Sequence, residues 1–144
     1  MNDDQNRRVE TMNDQPKTKP GEIRTDCYVH IFMDKKKENP DAHFEIITRA
    51  TLPAICHTTP SVLSPNWPLL DAAKAEKWGM PQYYAELGRQ FQGDPAALAR
   101  IKELARIARS GTTVFLVCYE KDASVCHRTY VKMLVERELK FGKT

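Results

Sequence analysis

Apolar residues along this chain gather into a few short runs and several helix-spaced sets, separated by stretches that are almost wholly polar. The most continuous run lies between Thr112 and Tyr119, where Val114, Phe115, Leu116, Val117 and Cys118 follow one another without a charge. Such a run predicts a strand buried on both faces. Cys27 to Met33 and Phe44 to Thr48 are rich in β-branched and aromatic residues and predict two further strands. Between them, Asp34 to Asp41 holds a lysine run, Asn39 and Pro40, and reads as a solvated turn too short for a crossover helix. The two strands are therefore expected to pair as an antiparallel hairpin.

Helical spacing dominates from residue 68 onward. Pro68 opens a short helix that ends by Gly79, and Pro81 opens another through Tyr83, Tyr84, Leu87 and Phe91. Asp94 and Pro95 form an N-cap and first-turn pair ahead of Leu98, Ile101, Leu104, Ala105 and Ala108, with Gly111 as the stop. A last helix from about Val125 carries Val131, Leu134, Val135 and Leu139 on one face. Strands interleaved with helices predict an α/β fold: a small mixed sheet flanked by helices, three-layer or partly open, with 113–119 as its central strand. Residues 1–25 have few apolar groups, without periodicity, and read as a disordered tail ahead of a single domain over 26–144. The segment from Ala50 to Asn66 contains Pro53, Pro60 and Pro65 and reads as an irregular pocket wall.

Composition narrows the function classes. A chain of 144 residues with 41% apolar content suits one core. A net charge of +3 does not indicate a DNA-coating surface, so nucleic acid stays a candidate partner only. The sequence has no apolar stretch of membrane-spanning length and no signal-peptide core near Met1, so a cytoplasmic protein without a membrane partner is expected. Cys27, Cys56, Cys118 and Cys126 are then expected as free thiols. A sheet this small also leaves room for a homo-oligomer.

Chemistry concentrates where the 113–119 strand ends. Glu120 and Lys121 follow the strand, and Cys126, His127 and Arg128 fall in the first turn of the last helix if Asp122 or Ser124 caps it. In open α/β folds this junction is where ligands sit, because strand ends diverge and helix N–H groups favour negative charge. Cys126 is a candidate nucleophile, Glu120 a general acid or base, and His127 an acid, base or simple donor. Arg128 and Lys121 are candidate anion holders. The alternative is plain packing, since cysteine is among the most often buried residues and adjacent helical side chains diverge by about 100°. Cys118, inside the strand, reads as core, and Trp67, Trp78, Tyr83 and Tyr84 read as core before they read as stacking platforms. A phosphatase loop would need arginine six positions after Cys118, where Ser124 stands, and no glycine-rich phosphate loop or dinucleotide fingerprint is present. Cys56-His57 and Cys126-His127 lack the spacing of zinc knuckles, so neither metal nor other cofactor is expected.

Cys118-Tyr119-Glu120-Lys121-Asp122 followed by Cys126-His127-Arg128 resembles the signature of the bacterial and archaeal DUF488 family. The Ser64-Pro65-x-x-x-Leu69-Leu70 segment and the Tyr84-x-Glu86-Leu87 helix extend the resemblance over roughly residues 26–140. The resemblance implies a functional arginine in the loop after the second strand, here Arg49; relatives often place an aspartate shortly before it, and Ile46-Ile47-Thr48 offers none. Two function classes follow. One is an enzyme that hydrolyses an anionic ligand, such as a nucleotide or a nucleic-acid base with its sugar phosphate, or transfers a group from it. The other is a non-catalytic module in which Arg49, Lys121 and Arg128 bind such a ligand and nothing reacts.

Overall fold

The computed structural model describes residues 20–49, 60–121 and 126–142. Its elements run β1 (Ile23–Tyr28), a single 3-10 turn (Val29–Ile31), α1 (Phe32–Glu38), β2 (His43–Ile46), α2 (Trp67–Ala75), α3 (Met80–Gln92), α4 (Pro95–Arg109), β3 (Val114–Cys118) and α5 (Arg128–Phe141). The α/β class follows from the alternation of strands and helices. The described strands form one sheet of order β1-β3-β2, and both edge strands run parallel to β3. The sheet is thus wholly parallel among the described residues, not mixed.

The expected hairpin is absent. The run from Cys27 leaves the sheet after Tyr28, and the lysine-rich segment is helical. Strong helix formers occupy Lys35 to Glu38, Asp34 sits in the first turn and Lys35, Lys36 and Lys37 in the last, which matches the helix macrodipole. Asn39 caps the helix end and Pro40 prevents its continuation. The connection therefore spans residues 29–42, long enough for the crossover that parallel strands require.

β1 also begins inside the segment read as a tail. Ile23 is buried opposite Val114, and the main chain is tied there by Val114 N–H to Glu22 O at 2.8 Å. Ile23 is hard to recognise because β1 is an edge strand whose outer positions are polar: Arg24 and Asp26 pair with each other, and Lys35 reaches Asp26 at 3.2 Å. Residues 1–19, which hold the rest of the expected tail, lie outside the described residues.

The two faces of β3 carry two cores. Val114 and Leu116 join Ile23, Ile47, Leu87, Leu104, Val131 and others beneath the long helices, while Phe115 and Val117 join Cys27, Val29, Phe32 and Ile46 on the α1 side. This is the period-2 alternation of a strand buried on both faces. Helix starts follow the sequence signals closely. The Asp94 side chain accepts from Ala96 N–H at 3.0 Å with Pro95 next, and the Asn66 side chain accepts from Leu69 N–H at 2.9 Å ahead of Pro68. Gly111, at φ 104°, turns the chain from α4 into β3 in a conformation that side chains disfavour. Among the described residues no helix is long and apolar enough to cross a membrane.

Candidate functional site

β1, β2 and β3 all end on one side of the sheet, and the chain leaving β2 and β3 frames a cavity of about 510 Å³ there. Its wall includes Thr48 and Arg49 after β2, Cys118, Tyr119 and Glu120 at the end of β3, and Cys126 and His127 ahead of α5. α2 and α3 supply the opposite wall with Trp67, Asp71, Lys74, Met80 and Tyr83. Of the residues singled out in the sequence, Arg49, Glu120, Cys126 and His127 are thus brought together. Lys121 is exposed and does not line the cavity. Residues 50–59, with Pro53 and the Cys56-His57 pair, lie outside the described residues, but Pro65 is part of the wall.

Arg128 does not line the cavity. It is fully buried, and its guanidinium donates to Cys27 O at 2.7 Å and to the carbonyls of Glu120 and Lys121. It ties the end of β1 to the chain leaving β3. α5 begins at Arg128 with His127 at the cap position, so Cys126 and His127 precede the helix and do not occupy its first turn. The proposed caps Asp122 and Ser124 lie outside the described residues.

His127 defines the chemistry at the cavity floor. Its Nε2 lies 2.5 Å from Ile47 O. A carbonyl can only accept, so Nε2 carries the proton and Nδ1 presents its lone pair. That lone pair faces Cys126 Sγ at 3.6 Å and Cys118 Sγ at 3.7 Å. Burial pushes the imidazole down to about 4, against partial support from the Ile47 carbonyl, so the ring is neutral at physiological pH. It is an acceptor already aimed at thiols. Tyr83 meets its ring edge-on, and Tyr84 Oη donates to Cys126 O at 3.3 Å, fixing the backbone beside the sulfur.

Cys118 and Cys126 are joined in a disulfide, which corrects the expectation of free thiols and the placing of Cys118 as inert core. Cys27 is the free cysteine among the described residues and is buried in the α1-side core, where desolvation raises its thiol to about 11. The donor atoms of Cys118, Cys126 and His127 all lie within 4.8 Å of one another. With the sulfurs reduced, these three residues could hold a soft cation; as a disulfide, neither sulfur is a ligand.

Sequence reasoning missed Cys118 and the aromatic wall. Position parity carried the signal for Cys118: it shares the face of Val114 and Leu116, which α5 covers, and so faces the residues ahead of α5. Trp78 and Tyr83 pack on the core with one side and line the cavity with the other, while Trp67 is 60% exposed at its mouth.

The family model DUF488-N3a, described as the active DUF488-N3 subclade, matches residues 35–139. The chain belongs to the DUF488 family. The matched range takes in β2, β3, all but the last residues of α5 and every described residue of the cavity. Membership of a subclade described as active suggests catalytic activity in this DUF488 protein; the description names no substrate. No curated protein and no solved structure matches the chain.

Proposed function

We propose that this DUF488 protein is a thiol-dependent enzyme that takes an anionic ligand, a nucleotide or a nucleic-acid base with its sugar phosphate, and carries out hydrolysis or group transfer on it. The observation that carries the reading is the bare Nδ1 of His127 held against Cys126 Sγ at the floor of a cavity that also contains Arg49 and Glu120. In the reduced protein, His127 accepts the Cys126 proton and the sulfur attacks an electrophilic centre. The leaving group departs with a proton from the imidazolium or from Glu120, and water or a second acceptor then releases the enzyme. Arg49 is oriented by its Nε–H to Pro65 O bond at 2.6 Å, and with Lys74 it supplies positive charge on the wall. Trp67, Trp78 and Tyr83 offer flat faces for a base, and Asp71 and Glu120 offer acceptors for its N–H groups.

The disulfide favours the second reading, a module that binds the same class of ligand without reacting, because an oxidised Cys126 has no nucleophile. Two measurements on the reduced protein separate them. Iodoacetamide is expected to label Cys126 about tenfold faster than Cys27, with saturating nucleotide protecting it. A ligand present at 100 times its dissociation constant is expected to add about 2.7 kcal/mol of stability, an effect lost in Arg49→Ala. Slow labelling with retained ligand stabilisation selects the binding module, and no response to any nucleotide or nucleic-acid fragment overturns both.

A further inference from the structure

We propose that Cys118 is a second working thiol of this site, and that the pair is a redox gate whose dithiol form presents Cys126 to the cavity and whose disulfide withholds it. The proposal rests on the thiol reading above and adds a residue and a control to it. Strand parity puts Cys118 on the α5 side of the sheet, and the chain entering α5 brings Cys126 to the same point, so the two sulfurs meet at the cavity floor. His127 Nδ1 is nearly equidistant from them, at 3.7 and 3.6 Å, and serves either one. The bond closes only a short loop, with a sequence separation of 8. Cys27 lies in the other core and takes no part.

The oxidant for such a gate is a hydroperoxide. The Cys126 thiolate attacks the outer peroxide oxygen, the O–O bond breaks, and an alcohol or water leaves with a proton, giving Cys126 sulfenic acid. Cys118 passes its proton to His127 Nδ1 and attacks the sulfenic sulfur. The S–S bond forms, the S–O bond breaks, and the departing hydroxide takes the proton from His127 and leaves as water. The two sulfurs together lose two electrons, which the peroxide gains. A small thiol reverses the step by attacking one sulfur, and a second molecule of it resolves the mixed disulfide, leaving as the oxidised thiol dimer.

Peptide mapping tests this, because trypsin cleaves after Lys121. Cys118 then lies in the Ser110–Lys121 peptide and Cys126 in the Asp122–Arg128 peptide, joined by nothing except a disulfide. The full chain is reduced, freed of reductant, treated with one equivalent of hydrogen peroxide, blocked with iodoacetamide and digested without reductant. The linked pair is expected as the main oxidised product, and dithiothreitol is expected to abolish it. Cys118→Ser is expected to send Cys126 on to the sulfinic acid instead. Links mainly to Cys27 or Cys56, or sulfinic Cys126 in the unaltered chain, overturn the gate; that result does not depend on whether the variant folds. Fast alkylation of reduced Cys126 without the linked pair sinks the gate alone. The linked pair with slow alkylation overturns the gate together with the nucleophile, because a reduced Cys126 that stays withheld is not presented to the cavity.

Discussion

Arg128 stands at the first position of a helix, where its charge opposes the macrodipole and calls for a negative partner. Among the described residues its partners include main-chain oxygens. Beyond the last ladder bond the strand ends have carbonyls to satisfy, and one planar guanidinium reaches those of Cys27, Glu120 and Lys121. Arg128→Met is expected to lower stability by about 3 kcal/mol by stranding those carbonyls, and Arg128→Lys to recover only part of the loss, read from urea midpoints. A ligand-holding arginine would give the opposite pattern, with stability kept and nucleotide binding lost. The residue type was legible in the sequence; its role was not, because carbonyls of β1 a hundred positions away leave no mark in a local motif. Cys118 is the reverse case, since strand parity alone places it on the α5 face.

Among the elements, β2 and α4 are joined by a charged clamp. Glu45 is 5% exposed and accepts from Arg100 Nε and Nη2, both at 2.7 Å, from Ser61 Oγ at 2.6 Å and from the His43 ring at 2.7 Å. Burial alone would raise its carboxyl, but the bonds from Arg100, His43 and Ser61 outweigh that and bring it from 4.5 to about 2. The folded state therefore binds the proton more weakly than the unfolded chain. The clamp's contribution is present in full above pH 4.5 and is lost as pH falls toward 2. Its loss should cost about 2 kcal/mol, discounted because Arg100 is partly exposed. Glu45→Gln is expected to lose that amount at neutral pH and to flatten the acid limb of a melting-temperature profile. Element reading from sequence succeeded where caps are local, as at Asp94-Pro95. It failed at residues 29–38, because aromatic and β-branched residues at the start of the segment outweighed the lysine-rich helix signal behind them.

Across the molecule, placing β3 between β1 and β2 brings the ends of all three strands to one side, and this is why Arg49, Glu120, Cys126 and His127 meet although they come from distant parts of the chain. The junction at the end of β3 was legible in the polar residues that follow the 113–119 strand. The wall built by α2 and α3 was not, since aromatic residues at helical spacing look alike whether they fill a core or line a cavity. That wall makes the protein its own optical reporter. The chain has 2 tryptophans, and both Trp67 and Trp78 line this one cavity. Its tryptophan emission, excited selectively over the 5 tyrosines, therefore comes wholly from the site: nucleotide binding or reduction of the sulfur pair is expected to change its intensity or wavelength, while a surface event elsewhere on the fold leaves that emission unchanged.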